Sequence, residues 1–321
     1  AQFSHSRKLN DQSGLRISTS LFNNDGWRDH TGSKRAEINL RHEYDLAADE
    51  SLVTLFTAST LEQEMAAALS PAQFEEDRTH SGLSDAVLAI DPLRKSEYVR
   101  VSTQWDKNLQ HGHVSVIPYV RHRTNDYTAT WNKNMPIVKS SVSTLGVLGL
   151  WNMEHSNDTE TTVGVDVEFS EGDQHSYQPL YVKTTGWGAD EYFEGEQFYN
   201  DTTEYLGISP YFQHHRALTK KLDITLGARY DYAGYDFDNH LGVYGDIGHG
   251  KLSLHDRQDS FNHFSPKASL NYHLSDDSSL FLRYANSFRL PTAGSLYHIT
   301  TKDTDKGISS LKPEISNTYE L

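Results

Sequence analysis

The sequence predicts an all-β protein, part of a large antiparallel transmembrane β-barrel. Three observations carry that expectation. Apolar and polar residues alternate along most of the 321-residue chain. The connections between alternating runs are short and long by turns. The polar side of the runs is too charged for a dry interior.

The alternation is clearest in four runs. In "TTVGVDVEFS", Val163, Val165, Val167 and Phe169 share one face, and Gly164, Asp166 and Glu168 take the other. "LDITLGARYDY" sets Leu222, Ile224, Leu226, Ala228, Tyr230 and Tyr232 against Asp223, Thr225, Gly227, Arg229 and Asp231. "KASLNYHL" sets Ala268, Leu270, Tyr272 and Leu274 against Lys267, Ser269, Asn271 and His273. "AEINLRHEY" sets Ala36, Ile38 and Leu40 against Glu37, Asn39, Arg41 and Glu43. A period of two is the signature of a strand with two unlike faces.

About 13 strands are expected, starting near residues 1, 14, 35, 51, 95, 112, 141, 160, 202, 221, 258, 279 and 314. Many should run about ten residues, the length that crosses a bilayer at a tilt. Short connections fall at "LNDQS", "LAADE", "DKNLQH", "MEHSNDT", "RALTKK" and "LSDDS". Long ones fall near 23–34, 61–94, 124–140, 171–201, 233–257 and 289–313. Short turns on one side and long loops on the other are the rhythm of an outer-membrane barrel. A soluble propeller is the competing fold, but no blade repeat is present. Outward aromatics near strand ends (Trp105, Trp151, Tyr230, Tyr232 and Tyr272) suit interfacial girdles. Within 61–94, Ser70 before Pro71 with Gln73 three on from Ser70 predicts a short capped helix.

Composition removes several function classes. No run approaches 18 consecutive apolar residues, so no helix is expected to span a membrane. There is no cysteine, which excludes disulfides and thiolate metal sites. The formal net charge is -15, against any nucleic-acid partner, which wants a basic stripe. No phosphate loop, nucleophile elbow or HExxH is present, and the scattered Ser, His and Asp have no triad spacing, so no enzyme is expected.

The C-terminal third carries a resemblance. "LGARYDYAGYDF" leads to "FSPKASLNYHLSDDSSLFLRYANSFRLPTAGSLY" and then "LKPEISNTYEL". This resembles the TonB-dependent outer-membrane receptors, with a Gly-x-Arg-Tyr-Asp strand, a Ser-Pro-Lys strand, an "sFRaPt…ELY" box and an "LKPE…sntyElG" box. The match is specific from about residue 222 to 321 and architectural upstream. Leu290 stands where Ala is usual, and "GISSLKPE" replaces an Asn-Pro start. The resemblance implies a 22-stranded barrel plugged by an N-terminal domain, of which residues 1–321 would be an interior piece of about 13 strands. The plug and the last strands would lie outside it.

What the resemblance implies about function follows. The protein would sit in the outer membrane of a Gram-negative cell as a multi-pass barrel, in contact with lipid and as a monomer. It would take up a ferric siderophore actively, driven by the TonB energy-transducing protein through the plug, with no permanently bound cofactor and no resident metal. A haem-uptake receptor is the alternative in the same class, and a passive porin the alternative from another. Pro291, which cannot donate to a ladder, should mark the outer end of the strand from 279.

Ligand-contacting candidates are aromatic, basic and histidine side chains in the long loops. Tyr177, Tyr181, Trp187 and Tyr192 crowd the 171–201 loop, where rigid rings offer contact area to a flat chelate. Packing of the loop by its own aromatics is the other reading. Tyr127 and Trp131 occupy "NDYTATWNKNMP", with the same alternative. Arg289 sits near the loops and would read an anion; pairing with a nearby carboxylate competes. His298 lies between the two family boxes, where haem-transporting members place an iron ligand; it is a metal ligand only if the ligand is haem, and otherwise a loop histidine. His214 and His215 flank a short turn and should not bind ligand.

Overall fold

The computed structural model describes residues 1–156, 158–186, 189–275, 277–300 and 311–321. The first half runs β1 (Gln2–Asn10), β2 (Ser13–Asn24), β3 (Ser33–Ala47), β4 (Glu50–Glu64), α1 (Pro71–Glu76), α2 (Asp85–Leu88), β5 (Leu93–Leu109), β6 (Gly112–Thr128) and β7 (Ile137–Ser156). The second half runs β8 (Thr159–Tyr177), β9 (Val182–Lys183), β10 (Glu191–Tyr192), β11 (Gln197–Thr219), β12 (Leu222–Asn239), β13 (Gly245–Asp246), β14 (Leu252–Ser253), β15 (Arg257–Ser275), β16 (Ser278–Arg289), α3 (Ala293–Tyr297) and β17 (Glu314–Glu320).

Thirteen strands form one sheet in the order β1-β2-β3-β4-β5-β6-β7-β8-β11-β12-β15-β16-β17, each antiparallel to its neighbours. The sheet does not close: β1 and β17 each have one neighbour. The hairpins β9–β10 and β13–β14 stand apart from it, inside loops. Every strand expected from the alternation is present, and most are longer than ten residues; β11 has 23. The extra length lies at the long-loop end, where the ladder continues past the apolar band and keeps the loop bases hydrogen-bonded.

Register sorts the side chains as the period-two pattern requires. Val167 faces Val147 on one side and Ile208 on the other, and Ile208 faces Tyr232. Ile224 faces Leu270, which faces Leu282. These residues form one continuous apolar face. Leu145 is 57 % exposed, Leu282 51 % and Phe264 58 %, far more apolar surface than water tolerates on a soluble protein. The band has aromatic borders. Trp105, Trp151 and Tyr272 lie toward the short turns, and Tyr230, Tyr232 and Phe264 toward the long loops. From Leu222 to Tyr232 is ten residues of strand, a rise of about 34 Å. At a tilt of about 40° that is a height of roughly 26 Å, one hydrocarbon thickness.

The other face is polar and paired. Arg229 donates to Asp166 at 2.6 Å and to Asp231 at 2.7 Å, across β8, β11 and β12. Tyr119 donates to Glu168, which also receives Arg121 at 3.2 Å. Two glycines make room for rings on this face. A Cβ at Gly146 would run into the Tyr119 ring opposite it, and one at Gly164 into Tyr211.

The buried apolar residues are few and mostly sit among the long loops. Phe237, Leu296 and Tyr297 form one cluster with Tyr235, Phe261 and Leu311 against it; Leu83, Val87, Ala129, Phe198 and Ile299 are buried elsewhere in the same region. The predicted helix is α1: Ser70 Oγ accepts from Gln73 N, and Gln73 Oε1 accepts from Ser70 N. Pro291 lies just past the end of β16, as expected. The loop after it holds the one-turn α3, capped by Thr292, whose Oγ1 accepts from Ser295 N.

Leu226→Arg places a charge in the middle of the apolar band, while Gln213→Arg places one on the polar face at the same height. Urea unfolding of the full-length protein refolded in lipid vesicles is expected to show Leu226→Arg destabilised by about 2–4 kcal/mol and Gln213→Arg by less than about 1 kcal/mol. Equal costs would mean that the apolar face does not meet hydrocarbon.

Candidate functional site: a roof of interlocked loops

Six long connections meet above one end of the sheet, and specific bonds join them in series. Arg28 donates to the carbonyls of Ala67 (2.8 Å) and His80 (3.0 Å), tying 25–32 to 65–92. Thr130 Oγ1 donates to Ala66 O at 3.1 Å, tying 65–92 to 129–136. Gln178, with no exposed surface, accepts from Asn134 Nδ2 at 3.1 Å and donates to Asn134 O at 2.9 Å and Leu180 O at 2.8 Å. That joins 129–136 to 178–196. His249 in 240–256 then reaches back to 178–196, with Nδ1 2.7 Å from Asp190 and Nε2 3.2 Å from Glu196. Lys251 bridges to Thr300, and Leu252 N donates to Ile299 O at 3.2 Å, joining 240–256 to the loop after β16.

The outer start of β11 is where these loops converge. Tyr192 stacks on His249 at 4.3 Å, and Phe198 meets the same imidazole edge-on at 6.0 Å. The Lys251 ammonium lies over the rings of Phe198 (5.0 Å) and Tyr199 (4.9 Å). His298 Nε2 is 2.9 Å from Asp201 Oδ2, with its ring 4.4 Å from Tyr199. Tyr199 and Asp201 lie on the polar face, since Asp201 shares the side of Tyr205 and Tyr211 along β11. The underside of the roof therefore combines aromatic rings, a lysine and two imidazoles over a polar wall.

Protonation in the roof follows from these contacts. The His249 hydrogen bond holds the Asp190 carboxyl below its ordinary range. Burial pushes the Lys251 ammonium down and the Tyr192 and Tyr297 hydroxyls up. A depressed lysine marks an ammonium taken out of water without full compensation.

The residues singled out from the sequence divide into groups. Tyr192 and His298 join the cluster around β11. Tyr127 and Trp131 stack on each other at 5.4 Å, with the Arg94 guanidinium over Tyr127 at 5.6 Å, and form a second group. Tyr181 packs on Phe193 at 5.7 Å, both half exposed. Tyr177 stacks on His175 at 5.0 Å on the face opposite Tyr205, away from the roof's underside. Arg289 is 75 % exposed and 4.0 Å from Glu314, on the strand next to the open edge. Trp187 lies outside the described residues. His214 stands at the short-turn end, bonded to Thr161 at 2.9 Å.

Sequence reasoning missed His249, Lys251, Asp201 and Gln178. "GHGK" at 248–251 did contain a signal: a histidine between two glycines, with a lysine next in the chain. Gly248 and Gly250 both have positive φ, and so does His249 at 55°, which turns the loop tip back onto β11. Asp201 and Gln178 had no signal, because their partners lie 97 and 44 residues away. Among the described residues no group of three or more His, Asp or Glu side chains is arranged to hold a metal ion.

A wall apolar on one side and charged on the other, roofed by interlocked loops, defines a membrane β-barrel of the receptor type. The chain belongs to the family of TonB-dependent receptor-like β-barrels, whose family model matches residues 3–321. That family consists of outer-membrane transport receptors. Among solved structures, the chain is similar to the ferric citrate transporter FecA in its unliganded form, with a TM-score of 0.75 and 14 % identity, over 99 % of this chain and 44 % of that one. It is similar to the closed form of the ferric-catecholate import receptor Fiu from E. coli K12, with a TM-score of 0.69 and 14 % identity, over 99 % and 52 %. The copper transporter OprC gives a TM-score of 0.67 and 11 % identity, over 96 % and 46 %. The chain thus spans about half the length of these proteins.

Two outcomes test the roof. Gln178→Ala orphans the Asn134 amide and two carbonyls, each worth about 1–3 kcal/mol when buried; amide exchange in 129–136 and 178–196 should accelerate at least roughly tenfold, with the wall strands unchanged. The depressed Asp190 carboxyl means that its contact with His249 contributes fully above the ordinary carboxylate value of 3.8 and is lost as pH falls through the lowered value. Spin labels on cysteines introduced at Glu194 and Val243, in a chain with no cysteine of its own, should keep one short distance from pH 7 to 5 and broaden below 3.8. Asp190→Asn should already show the broadened distribution at pH 7.

Proposed function

We propose that the complete protein is an outer-membrane receptor that takes up a ferric siderophore with energy delivered by TonB. In this reading residues 1–321 are the wall and roof, and the remaining strands and the plug domain belong to the rest of the protein. The observation that carries the reading is the underside of the roof. Tyr192 and Tyr199 flank a partly desolvated Lys251 over a polar wall, backed by the buried Phe198 ring. Rings provide rigid contact area, and a partly desolvated ammonium attracts an anion more strongly than an exposed one does. Together they suit a flat or aromatic anionic chelate. The named functions of FecA and Fiu, a ferric citrate transporter and a ferric-catecholate import receptor, fit the same class.

The cargo is substrate, and the reading assigns the chain no resident metal and no chemistry on the ligand. The haem alternative assigns His298 to iron, but its Nε2 already engages Asp201 and its ring rests against Tyr199.

The test is uptake of radioactive iron by cells whose only iron receptor is the full-length protein, supplied with chelates extracted from iron-starved cultures. Accumulation that a protonophore abolishes is expected, and Lys251→Met should reduce it several-fold without lowering the amount of folded receptor. Uptake that persists in de-energised cells would point to a passive porin. Haem-supported growth that depends on His298 would transfer the assignment to haem.

A further inference from the structure

On the outward face of the wall, the two rims of the apolar band carry opposite charge. Toward the long loops the rim is acidic. Glu171, Glu204 and Asp236 stand side by side on β8, β11 and β12, and Glu97 projects the same way from β5. Toward the short turns the rim is basic, with Arg7, His42, Lys107, His155, His214 and Arg216. The Glu50 carboxylate on that rim is already held, by Trp105 Nε1 at 2.7 Å and Lys107 Nζ at 3.1 Å. A chain of net charge -15 has no compositional reason to gather cations at one rim.

One sector of the basic rim keeps its donors free. Across β7, β8 and β11, Trp151, Val163 and Phe212 form one outward row, with both rings exposed. Two residues closer to the short turns, Thr161 stands beside His214, and two residues beyond that, Thr159 stands beside Arg216. His155 lies in the bulge between Glu154 and Ser156, and its ring is 6.4 Å from that of His214. Both imidazoles meet one hydroxyl: Thr161 Oγ1 is 2.8 Å from His155 Nε2 and 2.9 Å from His214 Nδ1. That hydroxyl has a single proton to give, so at least one imidazole donates to it. The second nitrogens, His155 Nδ1 and His214 Nε2, have no partner among the described residues. Arg216 is exposed and forms no ion pair among them, Asp158 in the adjoining turn included. Glu154 and Glu160 of the same hairpin pair with each other's strand on the opposite, polar face. β7, β8 and β11 each have both neighbours in the sheet, and this face is turned away from the lumen. Neither further strands nor a plug would cover it.

We infer that His155, His214 and Arg216 bind the phosphate of an anionic phospholipid in the periplasmic leaflet, the side on which barrels of this kind place their short turns. The acyl chains lie against Trp151, Val163 and Phe212. A guanidinium fork and two imidazoles converge on one place with both donors and charge for phosphate oxygens. The next row toward mid-membrane is apolar, so the site takes a charged head and a greasy body in that order. The acidic far rim repels the same headgroup, which confines the preference to one leaflet. A phosphate held at one rim, beside the aromatic border, sets the height of the barrel in the bilayer.

The experiment is native mass spectrometry of the full-length receptor in mild detergent, titrated separately with phosphatidylglycerol, phosphatidylcholine and diphosphoryl lipid A. Phosphatidylglycerol is expected to bind more tightly than phosphatidylcholine. A basic residue near an anionic lipid surface is worth about fivefold in affinity, so H214Q/R216Q should weaken phosphatidylglycerol at least that much and leave phosphatidylcholine unchanged. R216K keeps the charge and should retain most of the preference. K139Q, on the same outward face of β7 but at the long-loop end, with its ammonium 5.9 Å from the Tyr177 ring, should bind as wild type does. Heat-modified mobility on gels reports that each variant has folded. Equal affinities for the two phospholipids in wild type, or phosphatidylglycerol affinity unchanged in H214Q/R216Q, overturns the site. So does a loss confined to lipid A in H214Q/R216Q, which would give the patch to the opposite leaflet. None of these outcomes depends on the cargo or on its uptake.

Discussion

The structure depends first on the obligation of every backbone N–H and C=O to find a partner inside hydrocarbon. A strand wall can meet that obligation only by pairing each strand with a neighbour on both sides. The consequence here is twelve consecutive antiparallel pairings among thirteen strands, without a crossover. Once pairing is fixed, the pleat sends alternate side chains to opposite faces. A valine column such as Val163, Val165 and Val167 and an acid column such as Asp166 and Glu168 then come from the same ten residues. One face is apolar and broadly exposed. The other must be wet or internally paired, and Arg229 with Asp166 and Asp231 shows the second solution.

The wall also explains why the loops can be ordered. Strands that continue past the apolar band carry the loop bases upward as hydrogen-bonded pairs, so each long connection starts from fixed ends. Few further bonds are then needed to order it. Gln178 joins two loops with two hydrogen bonds to Asn134, and His249 joins a third to them with its two ring nitrogens. The roof is consequently a serial assembly. Loosening one join frees its neighbours while the wall stays intact, which is the mechanical property a loop cover over a transport path needs.

The unfavourable features are concentrated where function is proposed. Lys251 is desolvated over rings, and His249 holds a left-handed backbone conformation. Elsewhere on the polar face Arg229 is matched by Asp166 and Asp231.

The sequence by itself determined the fold class, the number and order of strands, the side of each loop and the helix at Pro71. All of these are encoded locally, as period-two alternation, turn length and an Ser-Pro-x-Gln cap. It also singled out aromatic residues that do sit in the roof, such as Tyr192 and the Tyr127–Trp131 pair. Only the tertiary structure decided which of them meet. His298 finds Asp201 across 97 residues, and Lys251 finds Phe198 and Tyr199 because two glycines fold the 240–256 tip back onto β11. Tyr177 looked equivalent to Tyr192 in the chain, yet register turns it to the opposite face. The histidine pair is legible in neither strand alone, since His155 and His214 become neighbours only through β8, which lies between their strands. Local pattern fixes which face a side chain takes, while the partner across the sheet or between loops is set by pairings that sequence spacing does not encode.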